Sequence, residues 1–390
     1  MTDSARIVVT LLLAASSGLL ACSCLTACND APAADACVAT ERVVDLDANI
    51  CDITESGLLL TDSGGFKLQR VDEEGEVVTV AALSHTGLTC GSLAEDPSSD
   101  RIWVALPALV WEDASTLYTF DGAGNLLVQE ELTQDGESII GVSLAAEEGR
   151  LTIAGTVWGM DSRQSLLQSR SGGTIEWTQL GYPAAEAPDF LSTNINEVGF
   201  DADGPVFLSA ATGFDSSRIS LHAADPLDGT ERWSDLIIGD DFSGQRARLA
   251  VIPGAPGPDE ILVDLFEPAS VTGTNGARVT LLGYGPDGTR RSTSEHRFAG
   301  LTTPWGTARA AAAGHLYGVV GFEQIGAPEN HALRLIRELP GDEFADCMQS
   351  LDSLGFARPR ELVARGGQLL LTGTLEGDLG DFLVLLSTLE

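Results

Sequence analysis

Three observations predict an all-β fold, a seven-bladed β-propeller of four-stranded antiparallel blades closed by an N-terminal strand. A short apolar strand recurs seven times, and the unit around it reads as a four-stranded meander. The last unit lacks one strand, and the N-terminal region has one to spare. The recurring strands begin at Leu58, Ile102, Leu151, Val206, Ile261, Leu316 and Leu369, at intervals of 44, 49, 55, 55, 55 and 53 residues. Self-similarity at such a period marks a repeat architecture.

The chain of 390 residues is 44% apolar and only 20% charged, which suits a large β-rich core rather than a disordered chain. Its formal charge of −35 argues against nucleic acid and against docking on anionic headgroups.

Taken in order, the N-terminus precedes the fold. Ile7–Leu20 is an apolar run of 14 residues, short for a membrane span. It leads to Leu19-Leu20-Ala21-Cys22 and Leu25-Thr26-Ala27-Cys28. Both tetrapeptides resemble the lipobox of bacterial lipoproteins, which implies cleavage before a lipidated cysteine and anchoring to a membrane. Cys28 is the better match and Cys22 the alternative. Residues 1–27 then read as a lipoprotein signal peptide, 28–40 as a lipid-anchored tether and 41–390 as the propeller. The expected location is the cell envelope, at the outer membrane.

Within the body, the fourth unit is the clearest. Asn194–Asp203, Pro205–Ala211, Ser217–Ala223 and Thr230–Leu236 are four short strands separated by turn residues, as in an antiparallel meander. The third and fifth units repeat the pattern, with no stretch of helical periodicity competing. Turn glycines after the third strand (Gly75, Gly122, Gly172, Gly229, Gly288, Gly341) keep their place from unit to unit. Such units packed radially form a propeller. The seventh supplies Arg360–Ala364, Gln368–Thr374 and Phe382–Leu389 and then the chain stops, so Glu41–Asp47 is expected to complete it and remove the open edge.

Four cysteines remain beyond the anchor, and an even number in an exported chain suggests two disulfides. Cys51 and Cys90 fall at similar positions in the inner strands of blades 1 and 2, which makes that bridge plausible and leaves Cys37 for Cys347.

The segments GQLLLTGTLEGDLGDFLVLLS and DGTERW resemble repeats of bacterial secreted β-propellers of the SBBP and quinoprotein-like (PQQ-like) classes. The likeness spans residues 41–390 loosely and implies fold. With the lipobox, the chain also resembles the propeller lipoprotein of outer-membrane β-barrel assembly, although that family has eight blades. Quinoprotein dehydrogenases carry an adjacent cysteine pair at the cofactor. None stands here, and no cofactor is expected.

Aromatic and acidic residues gather after the second strand of several blades: Trp111, Glu112 and Asp113; Trp158 and Asp161; Phe214 and Asp215; Phe266 and Glu267; Phe322 and Glu323; and Glu376 with Asp378. Emerging on one face, they are the candidate binding surface. Equally, each ring can pack between blades and each acid end a strand in solvent. Asp45-Leu46-Asp47-Ala48-Asn49 begins like a calcium loop but lacks the following glycine, and Ser56 stands where the closing Glu belongs, so no metal is expected. No G-x-S-x-G, H-E-x-x-H or P-loop is present. The expectation is therefore a non-enzymatic envelope lipoprotein that binds or scaffolds a protein or polysaccharide partner. The alternatives are an outer-membrane assembly scaffold and a glycan-active hydrolase or lyase, for which two carboxylates at a suitable separation would be required.

Overall fold

The computed structural model describes residues 37–388, apart from 47, 86–89, 97, 109–112, 160–162, 182–191, 213–216, 239–245, 253–260, 268–275, 300, 325–326, 339–344, 352–355 and 376–380. Cys22, Cys28 and the rest of residues 1–36 lie outside this range. The described residues form seven four-stranded antiparallel blades with no helix.

The innermost strands are Asn49–Ile53, Ser92–Asp96, Glu137–Glu147, Ser192–Asp201, Arg246–Val251, Leu301–Ala312 and Phe356–Arg365. Each contacts the next, and the last returns to the first, so the ring is closed around a central channel.

Second strands carry the core because both their faces are covered. Alternate side chains point to opposite faces. In blade 1, Leu58 and Leu60 therefore join the apolar cluster shared with blade 2, while Leu59 joins the cluster shared with blade 7. In blade 2, Ile102, Val104 and Leu106 face blade 1, while Trp103 and Ala105 face blade 3. Seven such clusters occupy the seven blade interfaces. This explains the sequence signal: a strand buried on both faces is apolar at nearly every position.

Ring closure follows the expected plan. Val38–Leu46 pairs antiparallel with Asp381–Thr388 as the outer strand of blade 7. The strand begins at Val38, so residues 38–40 belong to the sheet rather than to the tether. The cause is local. The backbone N–H groups of Cys37 and Val38 donate to Gln349 Oε1 at 2.8 and 3.1 Å, and Cys37 is bonded to Cys347 with Cα atoms 5.9 Å apart. The second bridge, Cys51–Cys90, joins blades 1 and 2 with Cα atoms 4.9 Å apart. Both pairings match the sequence expectation.

Neighbouring blades are also clasped at their rims. The Trp177 indole N–H of blade 3 donates to Pro226 O of blade 4 at 2.9 Å, and Trp233 of blade 4 donates to Pro286 O of blade 5 at 2.8 Å. Arg42 of the closing strand repeats the reach, donating to Glu74 O of blade 1 at 2.6 Å.

Candidate functional site

The inner strands are irregular where it matters most. Register shifts fall between Ile50 and Asp52 in blade 1, Ile195 and Glu197 in blade 4, and Pro359 and Leu362 in blade 7. A bulge inserts an extra residue and re-aims the side chains beside it. At these three bulges stand Asp52, Glu197 and Glu361, joined electrostatically through Arg248 on the inner strand of blade 5.

Arg248 Nε lies 2.7 Å from Glu197 Oε1, and its Nη2 lies 3.2 Å from Glu361 Oε1. Glu197 also accepts the backbone N–H of Leu249. Asp52 accepts the N–H of Leu93 in blade 2 at 2.7 Å and that of Ile53 at 2.8 Å. Arg248, Glu361, Asp264 and Arg309 line a cavity of about 400 Å³ in the channel wall.

Burial raises all three carboxyls above their ordinary range. Asp52 is pushed up to about 7, first by burial and then by the negative charge of Glu361, against the hydrogen bonds it accepts. Burial likewise raises Glu197 and Glu361 although Arg248 opposes it in both. About two fifths of the Glu361 side chain touches the channel (39%). A narrow channel replaces most of the surrounding water by protein, so that exposure does not restore bulk solvation. The negative charge of Glu361 thus favours the protonated form of Asp52.

A buried network closes the same wall between blades 5 and 6. Arg309 makes a two-pronged bond to Asp264 at 2.7 and 2.8 Å, and Thr307 donates to the same carboxylate at 2.8 Å. Burial pulls the Arg309 guanidinium down, but Asp264 and Glu338 outweigh it and hold the group well above its ordinary value. This Arg is a fixed cation.

A second constellation has the form of a nucleophilic relay. Ser209 Oγ lies 2.8 Å from His222 Nε2, and His222 Nδ1 lies 2.7 Å from Glu231 Oε2. Its location rules out that role. Ser209 and His222 are each 1% exposed, and the Phe207 ring stacks on the imidazole with centroids 5.2 Å apart. No substrate can reach the hydroxyl, so the three groups bridge strands of blade 4 instead.

The face expected from sequence is only partly described. Trp111, Glu112, Asp161, Phe214, Asp215, Glu376 and Asp378 lie outside the described residues. Asp113 is exposed, and half-buried Trp158 holds the Arg163 guanidinium 3.7 Å from its ring centroid. Phe266 and Phe322 are 3% and 0% exposed and belong to the apolar cluster between blades 5 and 6. Their second strands run on past these rings, so burial rather than ligand contact explains them. Glu267 is buried and ion-paired with Arg278, and the backbone of Glu323 pairs with that of His331 inside blade 6.

The channel acids escaped the sequence reading because bulges shift their offsets. Asp52 precedes the start of its second-strand repeat by 6 residues, Glu361 by 8 and Glu197 by 9.

No known protein family and no curated protein matches this chain. Solved structures do. The polysaccharide lyase Uly1 matches with a TM-score of 0.52 and 10% identity, covering 87% of this chain and 91% of that one. The periplasmic gluconolactonase PpgL of Pseudomonas aeruginosa matches at 0.49 and 17%, covering 88% and 94%. The quinohemoprotein alcohol dehydrogenase of Comamonas testosteroni matches at 0.43 and 9%, covering 91% and 77%. At these identities the likeness shows the propeller fold alone.

The Uly1 match corrects one expectation. The lack of local catalytic motifs gave the expectation of a non-enzyme, yet a matching propeller, Uly1, is a polysaccharide lyase. A propeller assembles its site from strands about fifty residues apart. Contiguous motifs are therefore not required of a propeller enzyme.

Proposed function

We propose that the protein is a glycan-cleaving enzyme, a hydrolase or lyase, working through the channel carboxylates. The observation that carries this reading is the placement of Asp52 and Glu361 at inner-strand bulges, with Arg248 3.2 Å from Glu361 and the Asp52 carboxyl pushed up to about 7 by burial and by the charge of Glu361. Glycan cleavage needs one group able to give a proton and another able to take one or attack, at the same pH. A carboxyl that keeps its proton near neutral pH and a second one oriented by Arg248 meet that need. Protonated Asp52 would donate to the leaving oxygen. Ionised Glu361, oriented by Arg248, would act as base, towards water in hydrolysis or towards a sugar C–H in elimination. The polysaccharide lyase among the structural neighbours supports the substrate class as an analogy of fold.

The two disulfides fit an oxidising compartment outside the cytoplasm. We further place the protein in the cell envelope, held by a lipid at Cys28 or Cys22, where polysaccharide is accessible.

The test is a screen of neutral and uronate-containing polysaccharides for chain cleavage. New reducing ends alone identify a hydrolase, and reducing ends with ultraviolet-absorbing unsaturated sugars identify a lyase. Asp52→Asn and Glu361→Gln should each lower kcat/KM by roughly a hundredfold or more, the usual weight of a proton-transfer group. Cleavage by the native protein that both variants retain would overturn the assignment, as would no cleavage of any polysaccharide.

A further inference from the structure

A second cavity, of about 600 Å³, opens between blades 2 and 3 and shares no lining residue with the channel cavity. Turns around Ser99, Gly149 and Gly172–Gly173 border its mouth. A Cβ added at any of those three glycines would meet nothing within 4 Å, so the mouth is open. A volume of this size lies within the usual range for small-molecule sites.

Its lining departs from the rest of the molecule. The chain carries a formal charge of −35, yet this cleft presents two guanidinium groups, Arg101 and Arg170, against one carboxylate, Glu130. Arg170 is 6% exposed and held rigidly, with Nη1 2.6 Å from Glu130 Oε1 and Nε 2.7 Å from Gln168 Oε1. Its charge is thereby balanced within the wall. Arg101 differs: it is exposed, and the carboxylate it faces across the strand pair, Asp121, is already taken up by hydrogen bonds from Ala123 and Asn125 in its own turn. Trp103, Leu117 and Val128 supply an apolar wall, and Thr119 a hydroxyl. An inorganic anion would use Arg101 but leave that wall wet, and a neutral sugar would make no use of its charge. A pyranose ring bearing a carboxylate answers both, with its C–H face on the apolar wall and its acid on the guanidinium.

We infer that the cleft between blades 2 and 3 binds a uronic acid residue, its carboxylate on Arg101 and its ring against Trp103, Leu117 and Val128. The choice of a sugar rests on the glycan-cleaving reading of the channel, and it narrows that substrate to a carboxylated polysaccharide held at a second point. The cleft positions chain rather than reacting with it.

Calorimetric titration of the whole protein with glucuronate, glucose and acetate tests this. Glucuronate should bind at least about tenfold more tightly than either of the others, since each supplies one of the two required features. Arg101→Gln should weaken glucuronate about tenfold or more, the weight of one charge-assisted hydrogen bond. Val128→Asp should weaken it similarly by placing a negative charge on the wall. Val128 is 50% exposed on an outer strand, so this change leaves the fold intact, as unaltered thermal melting would verify. Equal binding of glucuronate by native protein and both variants, equal binding of acetate, or no binding of glucuronate would each overturn the site. Glucuronate has no glycosidic bond, so its failure to bind leaves the channel chemistry standing. Polysaccharide cleavage retained in both channel variants, with glucuronate binding intact, would do the reverse.

Discussion

Ionising Asp52 places a second negative charge beside Glu361 within walls that exclude most water, and the sign of the consequence is fixed. Its carboxyl rises from an ordinary 3.8 to about 7 in the folded chain. A raised value means the folded state holds the proton more tightly than the unfolded one, so the contribution to stability is complete below about 3.8 and is lost as pH climbs towards 7. Asp52→Asn keeps an oxygen to accept the Leu93 N–H and cannot ionise. Thermal melting should show the variant gaining on the native protein at pH 8, with the gain shrinking towards pH 4. A gain independent of pH would contradict the coupling. Glu231 has the opposite sign, because its hydrogen bond from His222 holds it below the ordinary range. Its contribution is present above the unfolded value near 4.5 and is lost as pH falls through the folded one. Glu231→Gln should therefore destabilise at neutral pH and approach the native protein in acid. With 40% of the Glu231 side chain exposed, the effect should stay under about 1 kcal/mol. The two substitutions separate a strained carboxyl from a satisfied one within the same fold.

Strands and turns show why part of this architecture could be read in advance. Each outer strand from blades 3 and 4 inserts an indole beneath the next blade's turn, and the turn answers with a glycine. Gly229 has φ +74° and Gly288 φ +76°, and a Cβ on either would stand 2.5 Å from the Trp177 or Trp233 ring. Gly288→Ala therefore combines left-handed backbone strain with a clash against a packed aromatic, and chemical denaturation should show a loss of about 1–3 kcal/mol. Trp233→Phe keeps most of the packing but removes the bond to Pro286 O, leaving a carbonyl unsatisfied, at about 1 kcal/mol. If the alanine cost no more than the phenylalanine, the clasp would not be as tight as the geometry requires. These glycines, and the Asp-Gly-x-x-x-Trp spacing of blade 4, were legible because turn conformation and aromatic packing demand particular residue types. The second strands were legible because burial on both faces demands continuous apolarity. The inner-strand bulges were not. A bulge depends on what the neighbouring blade offers the extra residue, such as the Leu93 N–H that meets Asp52 and the Arg248 that meets Glu197 and Glu361. No local pattern encodes a partner 41 to 113 residues away. Sequence therefore placed the blades while leaving the channel acids unseen.

At the scale of the whole molecule, a propeller is held by its weakest seam, the point where the two ends of the chain meet. Blade 7 takes three strands from the C-terminal end and one from the N-terminal region, so no chain connection joins Val38–Leu46 to the other strands of its own sheet. Three devices secure it. The strand pairs with Asp381–Thr388, Arg42 reaches the turn of blade 1, and Cys37 is bonded to Cys347 in blade 6 across 310 residues of sequence. The bridge thus ties the closing strand backwards as Arg42 ties it forwards. A cross-link spanning so long a loop removes much freedom from the unfolded chain, and its loss is expected to cost about 2–5 kcal/mol. Cys51–Cys90 spans only 39 residues and joins blades that are already consecutive in the chain. In the chain-entropy account it contributes less, since loop-closure entropy grows with length. The paired variants Cys37→Ala/Cys347→Ala and Cys51→Ala/Cys90→Ala should therefore differ in degree and in kind. The first should melt at the lower temperature. It should also aggregate on mild heating, because release of the closing strand bares the edge of Asp381–Thr388, whose side chains from Asp381 to Leu386 are buried in the closed ring. The second should melt higher and remain soluble over the same range. Differential scanning calorimetry with light scattering separates them, and a reversed order would place the seam at blades 1 and 2 instead of at the closing strand.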